Sequence, residues 1–136
     1  MIQYDHNVKV YYKDVDQMGI VYYSRYFEFF EEARTEMLSS IGLDYSDVEA
    51  QGVKLPVIEA YANYRKGTYF EQEIIIEIFI PEIPKAKLKI EYNVHPKESD
   101  EILATGFTVH AFMNTSGRPI KAPAFIVEKI KKQMKV

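Results

Sequence analysis

A long amphipathic helix constrains the fold of this chain more than any other feature of its sequence. Residues 24–41 repeat apolar side chains at helical spacing, with Ser24 as a candidate N-cap and Gly42 as a candidate C-cap. The apolar arc covers about half of the helical circumference, which is wider than the stripe of an ordinary surface helix. The sequence therefore predicts a helix that other elements wrap around. Arg34 falls within the arc, so we expect its guanidinium to bind a carboxylate or backbone carbonyls.

Strand-like runs precede and follow this helix. One alternating run comes first and four follow, at residues 4–12, 55–65, 72–80, 86–95 and 101–113. Ser46 and Glu49 have the spacing of a capping box for a short helical turn, and a last helix is predicted to begin near Pro123. Consecutive strands with short connections usually pair antiparallel. The order predicts an α+β domain in which the long helix covers the apolar face of an antiparallel sheet.

Composition limits the classes of protein that need consideration. The chain has 136 residues, which predicts one domain over residues 1–136. No apolar run is long enough to span a bilayer, and the net charge of -3 without a basic stripe argues against nucleic acid as a partner. Cysteine is absent, so we predict a cytoplasmic protein without disulfides. His6, His95 and His110 are not at metal-ligand spacing, and no metal or other cofactor is predicted.

Two carboxylates, Asp14 and Asp16, stand just before a glycine and the start of the long helix. An acid beside a helix N-terminus can attack a carbonyl, or activate water against it, while the N-terminus polarises the carbonyl oxygen. The run D-x-D-x-x-G-I-V-Y-Y-x-x-Y-F-x-x-F, followed by E-x-A-R, resembles the signature of 4-hydroxybenzoyl-CoA thioesterase-like acyl-CoA thioesterases. The resemblance implies the hotdog fold, with an antiparallel sheet wrapped around a long central helix.

The resemblance also implies an activity and a site. Asp16 matches the catalytic aspartate and would act as nucleophile or general base toward an acyl-CoA thioester. The matching position for the backbone N–H that holds the thioester oxygen is Tyr23. Gly19 would let the chain approach the substrate closely or turn with a positive φ. Asp14 is expected to play a supporting role. A thiolate is a good leaving group, so one acid and one oxyanion site can suffice.

Binding of the CoA phosphates needs cations or N–H groups. By resemblance, the turn before the 86–95 strand and the segment before the last helix approach the nucleotide, which nominates Lys85, Lys87 and Lys121. Family members assemble as dimers with sites at the interface, often as tetramers, so a homodimer or homotetramer is expected.

Three alternatives stay open at this point. The chain can be a non-catalytic acyl-CoA binding or sensing module, which nothing in the sequence excludes. It can be a hotdog dehydratase, although such enzymes usually need a histidine and none lies within residues 12–34. Finally, Glu31 or Glu32 on the long helix can replace Asp16 as the catalytic acid. The sequence does not fix the acyl group.

Overall fold

An antiparallel sheet and three helices make up the part of the chain that the computed structural model describes, residues 1–134. The elements in chain order are β1 Ile2–Lys9, α1 Arg25–Ser40, α2 Tyr45–Ala50, β2 Val57–Tyr64, β3 Glu73–Ile80, β4 Lys87–Pro96, β5 Ala104–Met113, β6 Pro119–Ile120 and α3 Ala124–Met134. The sheet order is β1-β3-β4-β5-β2, with the short β6 paired to β5. The predicted α+β architecture is confirmed. Within residues 1–134, none of the helices has the length and apolar character to cross a membrane.

Helix α1 packs on the apolar face of the sheet, as its wide apolar arc predicts. Phe30, Ala33 and Met37 have no exposed surface. The ring of Phe30 stacks on that of Tyr92 in β4, with centroids 4.2 Å apart. This packing requires a small residue opposite, because a Cβ at Gly106 in β5 would lie 2.7 Å from the Phe30 ring and 2.5 Å from the Tyr61 carbonyl oxygen. The helix therefore sits where β5 has no side chain.

Helix α1 ends at the predicted glycine cap. Gly42 has a φ of +83°, the N–H of Gly42 donates to the Ser39 carbonyl, and the N–H of Leu43 donates to the Leu38 carbonyl. This pair of hydrogen bonds defines a Schellman motif, which satisfies the last carbonyls of the helix. At the other end Ser24 occupies the N-cap position, but its side chain makes no capping hydrogen bond.

The short helix α2 differs from its prediction. It begins at Tyr45 with Asp44 at the N-cap, so Ser46 lies inside the helix instead of capping it. Asp44 is also a favoured N-cap residue type, and it lies two positions earlier. The Asp44 carboxylate accepts a hydrogen bond from the Ser39 hydroxyl at the end of α1. This contact fixes the turn between the two helices.

The five predicted strands all occur within three residues of their expected bounds, and β1 ends at Lys9 instead of at Tyr12. The chain turns at residues 12–14 because the Asp14 carboxylate accepts a hydrogen bond from the Tyr11 N–H, 2.9 Å away. The alternating residues of β3 and β4 that were predicted to share a face are buried in the core: Ile74, Ile76, Ile78, Ile80, Leu88, Ile90, Tyr92 and Val94.

Strand β2 forms one edge of the sheet and pairs only with β5. Four of its eight residues are large apolar or aromatic side chains with 43–48% of their surface exposed: Val57, Ile58, Tyr61 and Tyr64. An edge strand also carries backbone N–H and C=O groups without a partner strand. The protein therefore presents an apolar edge with unpaired hydrogen-bonding groups.

A chain of buried hydrogen bonds crosses the sheet beneath α1. The Tyr92 hydroxyl lies 2.7 Å from the Thr108 Oγ1, which lies 2.9 Å from the Nε2 of His110, and the His110 Nδ1 lies 3.1 Å from the Leu55 carbonyl oxygen. A carbonyl only accepts, so His110 Nδ1 carries a proton and donates it. In the neutral ring Nε2 then accepts from the Thr108 hydroxyl, which in turn accepts from Tyr92. Burial lowers the pKa of His110 to about 4, with the nearby Arg34 charge adding to this effect.

Arg34 does not have the predicted partner. It is half-buried, and in the part of the chain that the structure describes it forms no ion pair with a carboxylate. Its guanidinium lies near the Tyr92 hydroxyl, where its charge opposes the rise in the pKa of Tyr92 that burial causes. The helical wheel placed Arg34 on the correct side of α1. It did not show that Arg34 borders a cavity, where a guanidinium can remain partly hydrated.

The buried neutral His110 predicts a loss of stability in mild acid. In the unfolded chain this histidine takes up a proton near pH 6.5, whereas in the folded chain it does so near pH 4. The stability that the neutral His110 contributes is fully present above pH 6.5. It falls progressively as the pH drops toward 4, because the unfolded state binds more protons than the folded state in that window. Urea unfolding at pH 7 and pH 5 should show about 2 kcal/mol of His110-dependent loss. Between pH 7 and pH 5 the free energy of unfolding should therefore fall by about 2 kcal/mol less in the His110→Gln variant than in the wild type. A His6→Gln control should lose as much as the wild type. Equal losses in all three proteins would show that His110 is not responsible.

Candidate active site

Asp16 lies in a tight turn between the 3-10 turn at residues 12–14 and the start of α1. Its Oδ1 accepts a hydrogen bond from the Met18 N–H at 2.8 Å, and its carbonyl accepts one from the Gly19 N–H at 3.0 Å. Gly19 has a φ of +79°, which this turn needs and which a glycine adopts without strain. The Asp16 carboxylate is half-buried, and its Oδ2 accepts no hydrogen bond from residues 1–134. One carboxylate oxygen is thus held in place and the other is free.

The contacts of Asp14 hold the local backbone in place. It is 3% exposed, one of its oxygens accepts from the Tyr11 N–H, and Lys13 lies 3.9 Å from the other. Its carbonyl accepts from the Tyr22 N–H at 2.9 Å. These contacts join the segment before Asp16 to the segment before α1. They agree with the supporting role expected for Asp14.

The two residues that immediately precede α1 have backbone N–H groups without a hydrogen-bond partner among the described residues. Among the described residues, the N–H groups of Tyr23 and Ser24 have no hydrogen-bond acceptor, although the Tyr23 carbonyl accepts from the Tyr64 hydroxyl at 2.9 Å. The N-terminus of a helix carries partial positive charge, so free N–H groups there attract an oxygen that bears negative charge. This end of α1 is therefore suited to hold a polarised carbonyl oxygen.

A cavity of about 310 Å³ is lined by both Asp16 and Tyr23, and we call it the Asp16 cavity. Its lining includes Asp16, Tyr22, Tyr23 and Tyr64. Hydrogen bonding with, and repulsion from, the Tyr23 phenol raise the pKa of Tyr22, and burial raises that of Tyr64. Both phenols stay protonated at neutral pH, and the Tyr64 hydroxyl donates to the Tyr23 carbonyl.

The cations at the Asp16 cavity are Arg65 and Lys66, which follow β2. The backbone N–H groups of both residues donate to the Leu103 carbonyl, and the Lys66 ammonium pairs with the Glu101 carboxylate at 3.3 Å. Sequence analysis did not nominate them as phosphate-binding residues. Both residues lie at the end of the strand predicted over 55–65, but their proximity to Asp16 depends on the pairing of β2 with β5.

The three lysines predicted to bind phosphate lie elsewhere on the protein. Lys85 and Lys87 line a surface depression with Lys89, and none of them borders the Asp16 cavity. The Ala122 N–H donates to the Lys85 carbonyl, which brings the backbone next to Lys121 close to Lys85. The two segments named from the sequence thus do meet. Their role in CoA binding stays a prediction.

The alternative catalytic groups lie apart from Asp16. Glu31 and Glu32 are exposed on α1, and Glu31 lines a different cavity. None of the three histidines lines the Asp16 cavity, while His110 lines the same second cavity as Glu31. Within residues 1–134 no group of His, Asp and Glu side chains is arranged to hold a metal ion.

Comparison with known proteins agrees with the geometry. The family model described as the thioesterase-like superfamily matches residues 10–130. The acyl-CoA thioesterase YbgC of Haemophilus influenzae is 32% identical over 88 residues, which cover 64% of this chain and 65% of that relative. The chain spans between 60% and 94% of the length of the first three curated relatives that it matches.

Solved structures resemble the whole chain. Protein TT1821 of Thermus thermophilus is 31% identical and superposes with a TM-score of 0.87 over 95% of this chain and 98% of its own. The DHNA-CoA thioesterase of Staphylococcus aureus, at 24% identity, has a TM-score of 0.90 over 99% of this chain and 93% of its own, which supports the fold alone. The chain belongs to the thioesterase-like superfamily and has the hotdog fold. It is a thioester hydrolase.

Proposed function

We propose that the protein hydrolyses the thioester of an acyl-CoA or aroyl-CoA to the free acid and CoA at the Asp16 cavity. The observation that carries the proposal is that the half-buried Asp16 carboxylate and Tyr23, whose N–H has no acceptor among the described residues, line the same cavity. The names of relatives such as acyl-CoA thioesterase YbgC support CoA as the carrier.

Either of two routes can use this arrangement. In the first, an Asp16 oxygen attacks the thioester carbonyl, the C–S bond breaks, and CoA leaves as a thiolate. Water then hydrolyses the acyl-aspartyl anhydride. In the second, Asp16 takes a proton from a water molecule as that water attacks the carbonyl. In both, the N–H of Tyr23 would hold the developing oxyanion. The free Oδ2 of Asp16 is available for either route.

Arg65 and Lys66 are the cations that border this site, and we propose that they attract the CoA phosphates. The group formed by Lys85, Lys87 and Lys121 stays a second candidate. A dehydratase is less well supported, because the Asp16 cavity lacks a histidine and both ring nitrogens of His110 are already hydrogen-bonded.

Thiol release from a panel of aliphatic and aromatic acyl-CoAs tests the proposal. We expect turnover with at least one member of the panel. Saturable binding of several acyl-CoAs with no release of thiol from any of them would favour a sensing module. The same panel identifies the acyl group.

We further propose that two copies pair through the β2 edges to form a homodimer. The edge is apolar and half-exposed, and its last residue, Tyr64, donates a hydrogen bond to the Tyr23 carbonyl of the site. Pairing would extend the sheet from one copy into the other and bring the second copy next to the Asp16 cavity. A further association of dimers into a homotetramer is compatible with this arrangement.

A lysine on β2 is expected to break the dimer, because lysine on an edge strand opposes pairing with another edge. Light scattering should give the mass of a dimer or tetramer for the wild type and a lower mass for Ile58→Lys. The matched control is Ile83→Lys in the β3–β4 connection, where an isoleucine is also exposed. Its mass should not change. A wild type that is monomeric at working concentration contradicts the proposal.

A further inference from the structure

A second cavity, which we call the Arg34 cavity, lies between α1 and the strands β4 and β5. Its volume is about 310 Å³, and it shares no lining residue with the Asp16 cavity. Its apolar walls come from Leu38, Leu55, Leu88 and Ile90. This volume is at the lower end of the range for small-molecule sites, and it suits an aromatic or medium-chain acid. We propose that the Arg34 cavity binds an organic carboxylate with an apolar body, and that Arg34 holds the carboxylate.

Arg34 is the first argument for an anion. It is half-buried, it lines the cavity, and none of the carboxylates in residues 1–134 forms an ion pair with it. A guanidinium has five N–H donors, and a hydroxyl such as that of Tyr92 can occupy only part of this capacity. A ligand carboxylate would accept two parallel hydrogen bonds from the fork and match its charge.

The other ionisable groups around the cavity leave Arg34 as its positive centre. His110 is buried, which lowers its pKa to about 4, so it is neutral at pH 7 and adds no charge. Glu31 is the acidic residue in the lining, and it is exposed to solvent one helical turn before Arg34. The hydroxyl-bearing residues Thr35 and Tyr45 complete the polar part of the lining. A carboxylate is thus favoured at the half-buried cation, while Glu31 faces water.

The apolar walls select what is attached to the carboxylate. Leu55 is 7% exposed, Leu38 is 5% exposed, and Leu88 and Ile90 are almost fully buried. Burial of a hydrocarbon tail or ring against such walls contributes about 25 cal/mol per Å² of apolar area. Small inorganic anions lack this contribution. Acids of the same class are released by acyl-CoA hydrolysis, so the link to a product acid rests on the proposed function, while the binding itself does not.

Three eight-carbon probes test the proposal: octanoate, 1-octanol and octylammonium. They share a hydrocarbon tail and differ in charge. Methyl-resolved NMR of the full chain locates the site, because Leu88 and Ile90 methyls report on the Arg34 cavity and Ile20 methyls report on the Asp16 cavity. We expect octanoate to shift the Leu88 and Ile90 methyls saturably and to bind at least tenfold more tightly than either other probe.

The variant Arg34→Gln should weaken octanoate binding at least tenfold and leave octanol binding unchanged. The matched control is Arg118→Gln, which removes an exposed arginine in the turn before β6 and should leave both affinities unchanged. Asp16→Asn should retain octanoate binding even if thiol release is lost, which separates this inference from the proposed function.

The proposal is overturned if octanoate and octanol bind equally, or if the shifts appear only at Ile20. It is also overturned if no shift of Leu88 and Ile90 occurs up to the solubility limit, or if Arg34→Gln binds octanoate as the wild type does. If Arg34→Gln does not fold, the comparison of the three probes on the wild type decides the question by itself.

Discussion

Asp16→Asn is expected to lower the rate of thiol release by at least ~100-fold, the loss typical of removing a general base. Asparagine keeps the size of the side chain and an oxygen that can accept from the Met18 N–H, so the turn should persist. It removes the charge and the basicity that either catalytic route requires. Affinity for acyl-CoA should change little. Thiol-release kinetics and a binding measurement on the same substrate check both statements.

The same substitution two residues earlier is the matched control. Asp14→Asn changes a buried carboxylate whose contacts are with the Tyr11 N–H and Lys13. We expect it to lower the melting temperature more than Asp16→Asn does and to reduce turnover less. Wild-type rates in Asp16→Asn would contradict the proposed mechanism. Glu31→Gln and Glu32→Gln would then be the next variants to measure.

Gly106→Ala is expected to lower the free energy of unfolding by about 1–3 kcal/mol, the usual cost of inserting a methyl group into a filled space. The added Cβ would meet the Tyr61 carbonyl oxygen at 2.5 Å and the Phe30 ring at 2.7 Å. The carbonyl belongs to the paired backbone of β2, so it cannot move away as a flexible side chain would. Urea unfolding measures the change.

Thr105→Ala is the control for this strand. Thr105 is the neighbour of Gly106 in β5 and is half-buried, so its replacement removes atoms and adds none. A loss of at most about 1 kcal/mol is expected. If Gly106→Ala proves as stable as the wild type, then α1 must be able to shift on the sheet. The position of the helix start at Tyr23 would then be less firmly fixed than the packing indicates.

Local patterns in the sequence were sufficient for the elements of the fold. The apolar arc of α1 and the glycine at its end predicted a helix over 24–41, and the helix runs from Arg25 to Ser40 with Gly42 in the Schellman motif. Alternation predicted β3 and β4 to within one residue at each end. These features depend on neighbours along the chain, which a sequence shows directly.

Features that depend on distant residues were predicted less well. No local pattern indicated that Arg65 and Lys66 border the Asp16 cavity, because that depends on how β2 pairs with β5. It also suggested a carboxylate or carbonyl partner for Arg34, whereas the structure places this residue beside a cavity. A helical wheel gives the direction of a side chain but not the space in front of it. The family resemblance, and not periodicity, pointed to Asp16 and Tyr23.

The apolar edge at β2 also has a consequence for how this protein must be handled. Residues 57–64 contain no lysine and no proline, and Glu59 is the one charged residue among them. Charges and prolines are the usual protection of an exposed edge against indiscriminate pairing. A copy whose edge is uncovered, during synthesis or after strong dilution, is therefore prone to form intermolecular β-structure and to aggregate. Recovery from denaturant should accordingly improve when refolding is fast relative to such encounters, and a β2 lysine should reduce precipitation even where it weakens assembly.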